Sequence, residues 1–254
     1  MEFSNLKECI YKIREELYTN GKIVKTQDWQ GLQENFEFLE LTAVNFTVQM
    51  PETLLECRDL CEPFWPWAED HFQERVSGLP LNPPPSHKYW LKGNEEFKSG
   101  EKGEVFSHSY PERFWPKTLM PKGYRYETGD LEDLIQLLIK NPSSRQAYLP
   151  IYFPEDLGAS KLNERVPCTL GYHIYIRDNK VNIFYPMRSC DAIRHFHNDM
   201  YLTVRLAQYI RDRINIALKV KYNVNYKMGI LHFACSSLHC FSNDRYALKK
   251  LLKK

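Results

Sequence analysis

The chain has 254 residues, a formal net charge of +2, and 43% hydrophobic and 14% aromatic residues. This length is sufficient for one well-packed domain, and the composition excludes intrinsic disorder, collagen and coiled coil. The near-neutral charge argues against a nucleic-acid coat, because neutralising many phosphates requires an excess of basic side chains. No apolar run approaches the roughly 18 residues of a membrane span. We therefore expect one globular domain over residues 1–254, without a membrane partner.

Seven cysteines are present, an odd number in a chain too long for a disulfide scaffold. The charged N-terminal segment has no apolar core of a signal peptide. Both features predict a reducing, cytoplasmic location. Cys57 and Cys61, with His71 and His87 downstream, fit no standard zinc spacing, so no metal site is predicted.

Three segments of the first third show regular patterns. Residues 4–19 have apolar side chains at helical spacing after the capping residues Ser4 and Asn5, and residues 36–51 alternate like a strand. Residues 53–78 read as helix interrupted by Pro63 and Pro66.

The middle of the chain begins with an irregular stretch. Residues 79–128 are rich in proline, glycine and aromatic residues and predict an insertion or lid. Residues 129–142 predict a strong helix capped by Asp130, and residues 147–154 a buried strand.

The last third predicts a sheet and its covering helix. Residues 168–189 read as two strands joined by a turn at Asp178-Asn179, residues 198–219 as a helix and residues 229–242 as a strand. The order of elements favours an α+β fold with one large mixed sheet covered by helices.

Cys168 is the candidate nucleophile. It precedes Arg188 by twenty residues, and pairing of the two strands would bring them to the same end of the sheet. A nearby guanidinium lowers a thiol pKa, whereas a lone cysteine is more often a buried apolar residue. Both readings stay open on spacing alone. Arg188, Ser189 and Arg145 could likewise form an anion site or be surface residues.

Five segments in order resemble thymidylate synthase and its pyrimidine-hydroxymethylase relatives. The resemblance is good over residues 129–243 and loose before them. The segments are GDLEDLIQLLIKNPSSR (129–145), FPEDL (153–157), VPC (166–168), RSCD (188–191) and GILHFACSSLHCFSN (229–243).

The resemblance implies the family's fold, with a sheet-mediated homodimer, a pyrimidine nucleoside monophosphate substrate and 5,10-methylenetetrahydrofolate. Cys168 would add to C6 of the base and so make C5 nucleophilic. The substrate would be held at the phosphate by Arg188, Ser189 and the partner subunit's Arg145, at the sugar by His239, and at the base by the backbone of Asp191.

The base-reading position of the family is an asparagine eleven residues after the phosphate arginine. Counted without gaps, that position is Asp199, and a slip of one residue would make it Asn198. An amide reads uracil, whereas a carboxyl group accepts from the amino group of cytosine and, when protonated, donates to N3. Asp199 resembles the deoxycytidylate hydroxymethylases and is favoured because it needs no gap.

Other positions depart from the family or match it loosely. Phe241 stands where the family has a sugar-binding tyrosine. Glu69 and Trp90 lie about where the family has a water-organising glutamate and a cofactor-packing tryptophan, although a helix-surface acid and a core tryptophan are equally good interpretations. Only eleven residues follow Asn243, where the family continues to a tail that closes over folate, and an open site would favour addition of water to give a hydroxymethyl product.

These features predict an enzyme that hydroxymethylates dCMP. The alternatives are methylation or hydroxymethylation of dUMP and, in another class, a catalytically silent nucleotide-binding relative.

Overall fold

The computed structural model describes residues 1–25, 37–89, 98–99, 105–116, 129–161 and 165–253. Alternating and buried apolar segments form nine strands in this part of the chain. They are β1 (Glu2–Phe3), β2 (Lys22–Lys25), β3 (Glu37–Gln49), β4 (Lys98–Ser99), β5 (Val105–Phe106), β6 (Tyr148–Pro150), β7 (Gly171–Arg177), β8 (Lys180–Asp191) and β9 (Lys227–Phe241).

Seven of these strands form one mixed sheet in the order β1-β3-β9-β8-β7-β6, with β2 also paired to β3. The pairs β1–β3 and β8–β9 are parallel and the others antiparallel. Strands β4 and β5 pair with each other and with no other strand of the described segments.

Eight helices accompany the sheet in the described segments, and none of them is long and apolar enough to cross a membrane. They are α1 (Leu6–Asn20), α2 (Leu54–Cys61), α3 (Trp67–Arg75), α4 (Tyr110–Phe114), α5 (Leu131–Lys140), α6 (Pro154–Lys161), α7 (Phe196–Tyr222) and α8 (Arg245–Leu251). The predicted α+β class, with a large mixed sheet and covering helices, is confirmed.

The long helix α7 organises the core. It packs on β8 and β9 and contacts α1, α2, α3 and α5. At its first turn Phe196 lies 5.6 Å from Phe233 of β9, which stacks on Phe46 of β3 at 4.8 Å between ring centroids. These aromatic contacts pack the N-terminal end of α7 against β9 and β3.

Local signals in the sequence account for several boundaries. Asn5 caps α1, and Asp130 caps α5 through a reciprocal capping box with Asp133. Asp178 and Asn179 both adopt positive φ, as a tight hairpin turn between β7 and β8 requires. The helical stretch 53–78 is broken between α2 and α3, as its prolines predicted.

The buried strand predicted over residues 147–154 is wrong in extent. Strand β6 has only three residues, pairs with β7 alone and leaves Tyr148 exposed at the sheet edge. Helix α6 begins at Pro154, because proline fits the first turn of a helix and Asp156 accepts a hydrogen bond from the Phe153 amide at 2.7 Å.

In the part of the chain that the structure describes, the helices cover one face of the sheet. Along β7, β8 and β9 buried residues alternate with half-buried or exposed ones, which is the pattern of a sheet packed on a single side. The uncovered face carries Tyr175, Phe184, Pro186, Ile230 and His232.

Candidate active site

A pocket opens where β8 leads into α7 and where α3 packs beside them. The segments 106–110 and 165–168 complete its walls. Among the residues that line it are Trp67, His71, Arg75, Cys168, Ser189 and Asp199. The structure therefore brings the predicted nucleophile and the predicted base reader into one cavity.

The segment that ends in Cys168 is held by Arg188. Its guanidinium donates to the carbonyl oxygens of Pro167 at 2.9 Å and Val166 at 3.0 Å, and its Nη2 lies 3.7 Å from Sγ of Cys168. The Arg188 amide also donates to the Cys168 carbonyl at 2.9 Å. Cys168 thus precedes β7 rather than opening it, and its thiol faces a fixed positive charge.

Burial raises the pKa of the Cys168 thiol above its ordinary value, and the Arg188 charge acts against that rise. The charge of Arg188 lowers the thiol pKa as predicted, but burial of the thiol raises that pKa by more. A thiol in this environment is mainly protonated at neutral pH, so its reaction requires a proton acceptor or a bound ligand that favours the thiolate.

The adjacent residues Asn198 and Asp199 point in different directions at the start of α7. Asn198 is 4% exposed, accepts a hydrogen bond from the Phe64 amide at 2.8 Å and donates to the Arg194 carbonyl at 3.1 Å. Asp199 lines the pocket, and its carboxylate is contacted by Sγ of Cys190 at 3.7 Å. Burial raises the pKa of Asp199, which favours the protonated acid that can donate as well as accept.

Ser189 and Asp191 line the pocket at the end of β8. Ser189 Oγ lies 3.3 Å from Nδ1 of His239, which pairs with Asp191 in the neighbouring strand β9. The Asp191 carboxylate accepts from the Ile193 and Arg194 amides at 2.8 Å each, so this side chain shapes the turn into α7.

Other predicted site residues are not part of the pocket wall or lie outside the described residues. Glu69 is outside the pocket wall, where Arg205 and Tyr201 of α7 bind its carboxylate. Arg145 is exposed just before β6, and its carbonyl accepts from Nε2 of His173 at 3.1 Å. Trp90 lies outside the described residues. Phe241 packs against the His239 ring at 5.0 Å and does not line the pocket.

One face of α3 was missed by the sequence analysis. Trp67, His71 and Arg75 repeat at a spacing of four and all line the pocket. The Trp67 and His71 rings stack at 5.2 Å. Arg75 is 5% exposed, lies over the Tyr110 ring at 4.0 Å, and its Nε has no hydrogen-bond partner in the described part of the chain. The signal available in the sequence was the recurrence of Trp67, His71 and Arg75 every four residues, which places them on one face of a short helix.

Residues 86–254 match the family model described as thymidylate synthase. The chain belongs to the thymidylate synthase family. It is 20% identical over 249 residues to a Methanosarcina acetivorans protein named putative thymidylate synthase, covering 98% of this chain and 92% of that protein. A protein of the same name from Methanosarcina mazei is 21% identical over the same length and coverage.

The fold of this family member is also that of a solved structure. The thermostable thymidylate synthase A from Bacillus subtilis is similar with a TM-score of 0.65 and 17% identity, over 99% of this chain and 85% of that one. The family resemblance predicted from the sequence is confirmed. Membership of the family identifies the general class of the enzyme, a pyrimidine nucleotide methyl- or hydroxymethyltransferase.

The thymidylate synthase family uses 5,10-methylenetetrahydrofolate, and the pocket has features that fit it. Trp67, Pro84 and Phe106 form an apolar part of the wall, suited to a flat heterocycle. Trp67 Nε1 is buried and has no hydrogen-bond partner among the described residues, so a polar atom of a ligand could satisfy it.

Proposed function

We propose that this thymidylate synthase family member hydroxymethylates dCMP at C5, with 5,10-methylenetetrahydrofolate as the one-carbon source. The observation that carries the substrate is the orientation of two neighbouring residues. Asp199 lines the pocket that contains Cys168, whereas both polar groups of the Asn198 amide are occupied by the backbone. A carboxyl group at the base-reading position matches the amino group and N3 of cytosine.

The covalent step begins at Cys168. Its Sγ forms a bond to C6 of the base, the C5–C6 double bond opens, and C5 becomes nucleophilic. The Arg188 guanidinium holds the backbone of the segment 166–168 and stabilises the thiolate as it forms. When bound, the folate supplies a one-carbon unit at the oxidation level of formaldehyde. Trp67, Pro84 and Phe106 would hold it.

The substrate's phosphate and sugar would lie at the Ser189 end of the pocket. Ser189 Oγ and His239 contact each other there and present a hydroxyl and an imidazole. The phosphate charge would be met by Arg188 and by the partner subunit's Arg145.

The uncovered sheet face supports a homodimer. It carries the aromatic and apolar side chains of Tyr175, Phe184 and Pro186 on one broad surface, where a second copy would bury them. Arg145 is exposed and its carbonyl is bound by His173, which belongs to the same side of β7 as Tyr175. That position is suited to reaching across a two-fold interface.

Methylation of dUMP is the second candidate, favoured by the Methanosarcina relatives that are named putative thymidylate synthases. Both reactions use the same covalent step. They differ in the base that is read and in the group that C5 gains.

The test is incubation of the enzyme with 5,10-methylenetetrahydrofolate and either dCMP or dUMP, followed by mass spectrometry of the nucleotide. We expect dCMP to gain a hydroxymethyl group and Cys168→Ala to form no product. A methyl group on dUMP would establish the second candidate. Nucleotide binding without any product would instead indicate a catalytically silent relative.

A further inference from the structure

Substitution at C5 requires a general base, and the residue roles in the proposed function include none. The C5 carbon gains a new bond, so its hydrogen must leave as a proton before the C5–C6 double bond can reform. Cys168 supplies the nucleophile, Asp199 reads the nucleotide base, and Arg188, Ser189 and His239 bind the substrate. This inference rests on the proposed function, because it identifies a residue for the same reaction.

His71 is held in one orientation inside the pocket wall. The residue is 5% exposed and stacks on Trp67 at 5.2 Å with an angle of 13° between the rings. Its Nδ1 lies 3.2 Å from Glu74 Oε2 and 3.2 Å from Ser86 Oγ. The ring can therefore neither tilt nor rotate freely.

The same contacts determine which ring nitrogen carries the proton. The Ser86 hydroxyl donates to Glu74 Oε2 at 2.6 Å, and the Ser86 amide donates to the other carboxylate oxygen. The Glu74 carboxylate can only accept, so Nδ1 of His71 must be the donor. The lone pair of the neutral ring is then on Nε2, for which the described residues provide no hydrogen-bond partner.

The imidazole of His71 is neutral at neutral pH and its lone pair is available, because burial and the nearby Arg75 charge lower its pKa to about 4. These two effects also weaken it as a base, and the hydrogen bond and charge of Glu74 act against them. Although burial acts to raise it, the pKa of Glu74 is lowered by hydrogen bonds from His71 and Ser86. An ionised Glu74 stabilises the imidazolium that forms when His71 takes a proton, as the carboxylate of a catalytic triad does.

We propose that His71 is the base that removes the proton from C5, with Glu74 and Ser86 as the residues that position its imidazole. In this step the C5–H bond breaks and the proton passes to Nε2 of His71. The electron pair left on C5 forms a double bond to the one-carbon unit as the bond from that carbon to the folate nitrogen breaks, and the folate leaves with a proton from solvent. Water then adds to the same carbon and loses a proton to solvent, the electron pair returns to the C5–C6 bond, and the bond from C6 to Sγ of Cys168 breaks to release the thiolate. The proton on His71 returns to solvent after the product has gone.

Other polar groups of the pocket fit this role less well. His108 is oriented by the Arg165 carbonyl at 3.1 Å, a neutral acceptor that stabilises an imidazolium less than a carboxylate does. The Tyr110 hydroxyl is bound to Thr169 Oγ1 at 2.9 Å, and burial raises its pKa. His195 is exposed at the start of α7.

The test follows C5 hydrogen exchange of dCMP and of dUMP in D₂O by proton NMR, without any folate. Cys168 adds to C6, C5 takes a deuteron from solvent, and the base removes the original proton before the thiolate leaves. We expect His71→Asn to slow this exchange by about 10²- to 10⁴-fold, the usual contribution of a general base. Its nucleotide dissociation constant should change less than threefold. His71→Gln is a second variant if the first does not fold.

Companion variants separate the possible failures. Glu74→Gln should slow exchange less than His71→Asn does, at unchanged nucleotide affinity, and His108→Asn should slow it least. An exchange rate of His71→Asn within threefold of the parent rate would overturn the assignment of His71 as the general base and leave the proposed function standing. Loss of exchange in His108→Asn but not in His71→Asn would have the same two consequences. Absence of exchange in the parent enzyme with both nucleotides would overturn the proposed function, and the base assignment with it.

Discussion

Replacement of Asp199 by asparagine tests the reading of the base most directly. The two side chains have nearly the same shape, so the change exchanges hydrogen-bonding groups without opening a cavity. An amide donates to O4 of uracil and accepts from its N3–H, whereas the protonated carboxyl group of Asp199 donates to N3 of cytosine and accepts from its amino group. We expect Asp199→Asn to shift the preference from dCMP towards dUMP.

The magnitude follows from the number of contacts that change. In the proposed complex two polar groups on the edge of the nucleotide base would face Asp199, and each group left mispaired in a buried site costs about 1–3 kcal/mol. Their sum of about 2–6 kcal/mol corresponds to a change of about 30- to 10⁴-fold in the ratio of kcat/KM for the two nucleotides.

The same substitution should make the protein more stable at neutral pH. Burial raises the pKa of Asp199 in the folded state above its value in the unfolded chain, where it is near 3.9. The folded protein therefore binds more protons, and stability falls as pH rises from the unfolded pKa through the folded one. Asparagine removes this penalty, so its advantage in the free energy of unfolding should be present at pH 8 and disappear below about pH 4.

Competition between equal concentrations of dCMP and dUMP, with products quantified by mass spectrometry, measures the preference. Urea unfolding at pH 8 and pH 4 measures the stability. The matched control is Asn198→Asp, which should disturb the contacts to Phe64 and Arg194 without altering the product ratio. A changed ratio in this control, together with an unchanged ratio in Asp199→Asn, would refute the assignment of the base reader.

Three further predictions concern the thiol, a buried ion pair and the open sheet face. Because the Arg188 charge opposes the burial that raises the pKa of Cys168, Arg188→Gln should slow alkylation of Cys168 by iodoacetamide at pH 8. In the parent protein the rate should still be rising above pH 9, as measured by mass spectrometry of the labelled peptide. Glu69→Gln removes the charged partner of the partly buried Arg205 guanidinium, which should lower the free energy of unfolding in urea by about 1–3 kcal/mol. Burial acts to raise the pKa of Glu69, but hydrogen bonds from Arg205 and other donors lower it overall. The ion pair should therefore stabilise the protein above about pH 4.3 and cease to do so as pH falls further. Phe184→Glu should convert the proposed dimer into a monomer in analytical ultracentrifugation, and an unchanged mass would argue against this face as the interface.

The fold could be predicted well wherever local signals act alone. Alternation of apolar and polar residues predicted β3, a buried strand-like run predicted β9, the Asp178-Asn179 pair predicted the hairpin, and Asp130 predicted the start of α5. The edge strand β6 was predicted too long, because an apolar run does not reveal that Pro150 and Pro154 limit the pairing.

The site was predictable only where the order of motifs could be counted along the chain. Counting placed Cys168 and Asp199, which the structure brings into one pocket. It could not place His71, because that residue reaches the pocket through the packing of α3 on α7 and has no fixed distance in sequence from the others. The contact between Glu74 and Ser86 likewise joins a helix to a turn twelve residues away.

Glu69 fixes the orientation of α3 relative to α7, and both helices contribute residues to the pocket. Its carboxylate joins α3 to Tyr201 at 2.6 Å and to Arg205 at 3.0 and 3.1 Å, two residues one turn apart on α7. A pairing at two points fixes the rotation of α3 about its axis relative to α7. His71 follows Glu69 by two residues and Asp199 precedes Tyr201 by two, so the same ion pair that keeps Glu69 out of the pocket turns both of these side chains into it. The acid at this place in the sequence can therefore serve the reaction through geometry alone, and loss of Glu69 should affect stability before it affects the chemical step.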